Sequence, residues 1–232
     1  MEEQSRFGLN GNSLKLIAAF TMLLDHMGVL LFPRVRMLRI LGRIAYPLFA
    51  FMIAEGCRYT RNKLRYFLMI FGLGTGCQLV YYFFSGDTYL NILLTFSLSV
   101  LLIYLLQAAH SAADWKKQTL WSVLFCAGFL AVYGLNQVLT IDYVFWGVMT
   151  PVFAAFSLGK GKTGSKLPVL MLVAGLLLLA AELGGIQFYG LLAVPLLLLY
   201  NGQRGKANLK YFFYIFYPVH LAVLQGIAML LT

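Results

Sequence analysis

Of 232 residues, 61% are apolar and 11% charged, and the mean hydropathy is +0.80, a balance that excludes an ordinary soluble domain. A net charge of +10 raises nucleic acid as a partner, but the basic residues fall in short loops between apolar runs rather than on one solvated face, so membrane topology accounts for them. The runs recur at close to the roughly 20 residues of a helical span, and the alternation of a lumen-lined barrel is missing, which predicts an all-α, polytopic transmembrane helical bundle.

Nine spans are expected, at about 13–32, 44–57, 66–84, 90–109, 118–135, 143–158, 167–183, 186–200 and 211–231, with eight to ten as the working range. The seventh and eighth are separated only by Gly184-Gly185, and the second is short unless it takes in its Arg-rich flanks. No linker or composition shift divides the chain, so residues 1–232 read as a single domain. No repeat supports an inverted-repeat transporter architecture. Met1 to Asn12 carries Glu2 and Glu3, and no small-residue cleavage site follows the first apolar run, so the first span reads as an uncleaved signal-anchor. Cys57, Cys77 and Cys126 lack ligand spacing, which favours packing over a disulfide framework or a metal site.

Under a nine-span count Arg6, Lys15, the Arg58-Arg61-Lys63-Arg65 group, Lys116, Lys117, Lys160, Lys162, Lys166, Arg204, Lys206 and Lys210 fall on one side. The positive-inside rule makes that side, and the N-terminus, cytoplasmic. Asp87, Asp142 and Glu182 lie toward the other side. Arg34, Arg36, Arg39 and Arg43 break the rule. Arg36, Arg39 and Arg43 follow i, i+3, i+7, as on a short amphipathic helix at the outer interface. Such arginines either snorkel to lipid phosphates or form an electrostatic surface for an acceptor, with one of them reaching into a catalytic cavity.

Asp25-His26 stands in the apolar run Leu14–Phe32, where an ionisable pair costs a few kcal/mol to insert and persists where a cavity, a partner or a reaction uses it. Lys15 precedes His26 by eleven residues, which brings the two to within roughly 20° on one helical face, about 16 Å apart along the axis. That arrangement suits a long ligand that is anionic at one end. His26 titrates near neutral pH in its ordinary state and suits proton transfer, while Asp25, diverging from it by about 100°, can orient it, stabilise an imidazolium or pair with an arginine of another helix. A buried ion pair that only packs helices is the structural alternative. His220 follows Pro218, about ten residues from Lys210, at a depth from which it can approach His26; a hydrogen-bonded packing histidine is the plainer reading. Glu55, beside Arg58, reads as a solvated interfacial ion pair worth under about 1 kcal/mol. Arg58, Arg61 and Arg65 share one helical face by i, i+3, i+7, giving guanidinium groups for phosphate, or plain anchoring. Residues Gly159 to Gly164 imitate a phosphate loop but lack its first glycine and follow a membrane helix. The Tyr- and Phe-rich patches fit interfacial belts, and His110 reads as solvated.

Leu14 to Phe20 leading to Asp25-His26-Met27-Gly28, Gly42 to Phe51 running to Glu55-Gly56, and Tyr217-Pro218-Val219-His220-Leu221 together resemble the TraX family, whose founding member is required for acetylation of pilin. The resemblance covers both ends of the chain and the middle by hydropathy. It implies kinship with the transmembrane acyltransferases, whose first helix carries a basic residue, ten intervening positions and a His, and which have a cytoplasmic Arg-x-x-Arg element. Lys15 to His26 resembles the first, with Lys where Arg is common, and Arg58 to Arg61 the second. The resemblance further implies acetyl-CoA bound from the cytoplasm at Lys15, Arg58, Arg61 and Arg65, chemistry at His26 with Asp25 and His220, and an acceptor near Arg43 and Glu55. A bacterial cytoplasmic membrane is the implied setting, with no metal and no nucleic acid. The acceptor, whether glycan, lipid or protein N-terminus, is not fixed by the motifs. The rival is a small proton-coupled transporter or flippase in which Asp25, His26, Glu55 and His220 relay protons.

Overall fold

The computed structural model describes residues 8–86, 88–156, 166–207 and 209–231, without the side chains of Phe84, Ser85, Lys210 and Tyr211. Arg6, Asp87, Lys160, Lys162 and the phosphate-loop look-alike at 159–164 lie outside the described residues. Among the described residues the chain is helical, with two isolated β-bridges and no strand.

The described residues form ten α-helices in order: α1 (Gly11–Leu30), α2 (Arg36–Gly42), α3 (Ala45–Tyr59), α4 (Lys63–Ser85), α5 (Ile92–Ser111), α6 (Trp115–Val138), α7 (Val144–Phe156), α8 (Leu167–Leu183), α9 (Val194–Leu198) and α10 (Lys210–Leu231), with a 3-10 helix at Gly185–Ala193. Among the described residues six stretches, with α2 and α3 counted together, are long and apolar enough to cross a bilayer, so this is a membrane protein. The expected sixth, seventh and eighth spans are the shorter apolar helices Val144–Phe156, Leu167–Leu183 and Gly185–Leu198. The eighth is not an α-helical span. It gains reach from its 3-10 stretch, which rises about 2.0 Å per residue against 1.5 Å in an α-helix.

Local chemistry sets the ends. Asn10, Asn62, Asn91 and Asp114 cap α1, α4, α5 and α6 by accepting from backbone N–H groups of the first turn. Gly86 closes α4 in the left-handed conformation. Some hydroxyls inside the spans act as rivets: Ser99 donates to the Val148 carbonyl at 2.8 Å and Tyr46 to the Gly147 carbonyl at 2.9 Å, joining α5 and α3 to α7. The Leu9–Tyr200 bridge ties the start of α1 to the segment after α9, and the Leu90–Ile141 bridge ties the α4–α5 loop to the α6–α7 loop.

The core lies among α3, α5, α7 and α8, around Leu48, Val100, Ile103, Val148 and Leu172. By contrast α6 is apolar on every side and mostly exposed, as a lipid-facing helix is. Cys126 lies exposed there, whereas Cys57 is buried as expected of a packing cysteine. Most of α10 is exposed too, and it packs chiefly on α1.

Glycine decides how closely α2 approaches α1. A Cβ on Gly42 would overlap the Asp25 side chain and backbone, and one on Gly28 would sit 3.0 Å from the Leu38 Cβ. Gly42→Ala is therefore expected to push α2 off α1 and lower the unfolding midpoint in detergent. Gly72→Ala, whose Cβ would meet nothing within 4 Å, should be neutral or stabilising by about 0.5–1 kcal/mol.

Candidate functional site

A cavity of about 1940 Å³ runs between α1, α3, α4 and α10 and the loops that join them. That exceeds the roughly 300–1,000 Å³ of a usual small-molecule pocket. One end is lined by Asn12, Lys15, Glu55, Asn62, Arg65 and Arg204; the other by Asp25, Arg39, Arg43, Tyr89, Asp142 and Gln187. His26, next to Asp25 on α1, and Phe216, Tyr217 and Leu221 on α10 also line the cavity.

Lys15 and His26 both face this cavity, as the helical spacing predicts. His220, on α10, brings its Nε2 to 3.0 Å from His26 Nδ1. Its own Nδ1 lies 2.7 Å from the Phe216 carbonyl, one turn earlier on the same helix. A carbonyl only accepts, so His220 Nδ1 carries the proton and donates to it. In neutral His220 the Nε2 is then an acceptor, and His26 Nδ1 must be the donor. His26 is left with an unprotonated Nε2, the nitrogen from which a general base acts. The α10 backbone thus assigns the tautomer of a histidine on α1.

Asp25 turns away from His26, as neighbours on a helix do, and pairs with two arginines. Arg43 bonds Asp25 Oδ2, and Arg39 Nη1 reaches the same oxygen at 2.8 Å and the Asp25 carbonyl at 3.4 Å. Arg43 is 6% exposed, with Gln187 Oε1 3.4 Å from its Nη1 and the Tyr143 ring 5.8 Å from its guanidinium carbon. The amphipathic interfacial helix expected for this segment is corrected accordingly: Arg34 and Arg36 are exposed, but Arg39 and Arg43 turn inward because α2 lies against the carboxylate of α1. Asp25 Oδ1 and Arg43 Nε are buried without a hydrogen-bond partner.

The basic string at the other end does not form the expected face. α3 stops at Tyr59 with Thr60 extended, and Asn62 caps a new helix, so Arg58, Arg61 and Arg65 do not share a helix. Arg65 lines the cavity. Arg58 stacks on Tyr59 at 5.1 Å and pairs with Glu55 at 3.7 Å, and Arg61 is exposed in the turn away from the cavity wall. Glu55 is not a solvated interfacial carboxylate: it is 4% exposed and accepts from the Tyr200 hydroxyl at 3.2 Å. Arg204, by sequence no more than a loop cation, completes the basic mouth, where it interacts electrostatically with Lys15. Backbone bonds from Gly11 to Gln203 (2.7 Å) and from Asn12 to Arg204 (3.1 Å) hold that segment against the start of α1.

Tyr89, Asn91, Tyr143 and Gln187 are not legible from spacing. Asp142, by sequence a loop acid, accepts from the Tyr89 hydroxyl at 2.6 Å. Burial pushes its carboxyl up to about 6, against the opposing pull of the Tyr89 hydrogen bond and the Arg43 charge. The signal in the sequence is a lone Asp-Tyr pair between two apolar runs. Among the described residues no three His, Cys, Asp or Glu side chains stand close enough to hold a metal.

The family profile described as TraX protein matches residues 10–228. The chain belongs to the TraX family. It is 28% identical to the "Probable fimbrial assembly protein FimC, serogroup H1" of Dichelobacter nodosus over 94% of this chain and 95% of that one. It is also 38% identical over 60 residues to "Uncharacterized protein RP591" of Rickettsia prowazekii (strain Madrid E), a stretch covering 26% of this chain and 23% of the other. No solved structure matches. The TraX match takes in both histidines, His26 on the cavity wall and its partner His220.

Two outcomes test this geometry. Arg43→Leu leaves Asp25 with only the partly exposed Arg39, and should destabilise the fold by up to about 3–5 kcal/mol, much of which Asp25→Leu/Arg43→Leu should restore; denaturant or thermal unfolding in detergent reads both. For Asp142 the folded carboxyl holds its proton up to about pH 6, above the unfolded value of about 3.8, so its contribution to stability is present at low pH and lost as pH rises through 6. The unfolding midpoint of the native chain should fall between about pH 4 and 6 relative to that of Asp142→Asn, whose curve should be flatter.

Proposed function

We propose that this chain is a membrane-embedded acyltransferase that moves the acetyl group of cytoplasmic acetyl-CoA to a hydroxyl or amine acceptor at or across the membrane. One observation carries the reading: a continuous cavity joins a mouth of Lys15, Arg65 and Arg204 to the His26–His220 pair, about 16 Å deeper along α1. Acetyl-CoA has that polarity, with phosphates at one end and a thioester at the tip of a flexible arm. The cations would hold the phosphates, Asn12 and Asn62 line the same mouth, and Arg58 and Arg61 act around it rather than inside it. By the positive-inside rule this mouth faces the cytoplasm of a bacterial cell and the Arg43 end faces outward.

In the transfer, His26 Nε2 takes the proton of the acceptor O–H or N–H as that atom bonds to the acetyl carbonyl carbon. The resulting imidazolium donates through Nδ1 to His220, which turns a neutral hydrogen bond into a charge-assisted one. The nearby Asp25 carboxylate favours the same charge. The tetrahedral intermediate collapses with cleavage of the C–S bond, and the departing thiolate takes the proton back from His26 as free CoA. Asp25 with Arg39 and Arg43 fixes the acceptor end.

His26→Ala should lower acetyl transfer from radiolabelled acetyl-CoA by about 10²–10⁴-fold while leaving thermal stabilisation by CoA intact. Lys15→Ala with Arg65→Ala should abolish that stabilisation. No shift of the native protein at millimolar CoA would sink the reading in favour of a proton-coupled transporter, whose His26→Ala variant would instead lose proton flux in proteoliposomes.

A further inference from the structure

The cavity is not closed on all sides. α4 and α10 face each other across it and meet where Tyr214 approaches the Met69 sulfur at 3.9 Å, and again around Tyr217, which packs in a small cluster with Cys77 and Leu221. Beyond that cluster, toward the Arg43 end, Val80 and Tyr81 on α4 and Ala222, Gln225, Gly226 and Met229 on α10 both line the cavity and are exposed. A Cβ on Gly226 would meet nothing within 4 Å. These residues belong to stretches long enough to cross a bilayer, so the slit opens sideways into hydrocarbon rather than into water.

At its inner edge the slit meets polar groups. Tyr217 interacts electrostatically with Tyr81 and Asp142, and the cavity continues from there to Asp25 and Arg43. Arg39, whose side chain is 28% exposed, and Asp25, 13% exposed, both line the cavity and present a donor beside an acceptor. A hydroxyl suits such a pair, accepting from the guanidinium and donating to the carboxylate. The two carboxylates of this end, Asp25 and Asp142, are balanced by Arg39 and Arg43, so the lining favours an uncharged head over a phosphate or an ammonium.

We propose that the α4–α10 slit admits a membrane amphiphile with a hydrocarbon tail and an uncharged, hydroxylated head, a glycerolipid or glycolipid by class, whose tail stays in the slit while its head reaches Arg43, Asp25 and His26. Given the acyltransferase reading, on which this last role rests, that hydroxyl is the acceptor and an acetyl ester is the product.

The test uses the full chain in phosphatidylcholine vesicles carrying a trace of diacylglycerol with a diazirine at one chain end, or phosphatidylcholine labelled in the same way. After irradiation, adducts are mapped by mass spectrometry. Diacylglycerol adducts on Leu93, Phe216 and Leu221, which line the cavity and are not exposed, are expected to exceed those from labelled phosphatidylcholine by about tenfold. They should drop as far in Gly226→Trp and in Ala222→Trp, but not in Gly134→Trp on lipid-facing α6, where a Cβ also meets open space. Adducts confined to Phe83, Val223 and Leu230, or equal interior labelling by both lipids, would overturn the proposal. So would loss of interior labelling when a leucine-rich spanning peptide is added, which would give the slit to a protein segment. CoA stabilisation measured on the same samples separates the two readings: interior labelling without a CoA shift sinks the acyltransferase and keeps the lipid site, and a CoA shift without interior labelling does the reverse.

Discussion

A carboxylate inside a bilayer has to be paired, and the pairing of Asp25 organises one end of this molecule. Two guanidinium groups converge on it from α2 and from the start of α3, so the short α2 cannot lie on the membrane surface as its spacing alone would allow. It has to fold back against α1, and that approach needs the missing side chains of Gly28 and Gly42. With Asp142 near Arg43 the cluster is compensated in charge, yet it is incomplete in hydrogen bonds, with Arg43 Nε and Asp25 Oδ1 buried and unpaired. A purely structural ion pair buried at this cost would be expected to use all of its bonding capacity, because each unsatisfied group costs about 1–3 kcal/mol.

The second constraint is directional. His220 donates to a carbonyl of its own helix, and that one bond propagates to His26 as a choice of tautomer. Pro218 removes a backbone N–H from α10 two residues earlier, yet the helix continues through it. Since α10 touches the rest of the bundle chiefly along α1, the histidine pair also serves as one of its few polar attachments, together with Lys15 over the Phe213 ring at 5.9 Å. The attachment of α10 and the tautomer of His26 therefore rest on the same hydrogen bond.

Much of this is legible in the residues because helical periodicity is a local property. The common face of Lys15 and His26 needs only the 3.6-residue turn, and the similar depth of His26 and His220 needs only counting from the basic ends of their spans. Features set by contacts between distant segments are not legible. Whether Arg58, Arg61 and Arg65 share a face turns on Asn62, an N-cap whose signal is present but is outweighed by the i, i+3, i+7 pattern. The burial of Glu55 depends on Tyr200, 145 positions away, and the inward turn of Arg39 depends on two glycines whose role emerges only where α1 and α2 meet. The eighth segment has the composition of a span, but hydropathy does not distinguish an α-helix from a 3-10 helix.

The two ends of the cavity differ in the kind of chemistry they offer, and the difference matches what each would bind. At the Lys15 end the cations outnumber the carboxylates, with Lys15, Arg65 and Arg204 set against Glu55, whose charge is already answered by Arg58. A surplus of that sign suits a polyanion and would repel a cationic ligand. At the Arg43 end the charges cancel, leaving directional donors and acceptors that select by hydrogen bonding. A protein that only passed protons would need neither a cationic mouth nor a cavity of this size, since a relay requires a chain of titratable groups and water. A catalyst that brings a charged donor and an uncharged acceptor to one imidazole would need both, with the arm of the donor spanning the distance from the cationic mouth to the base.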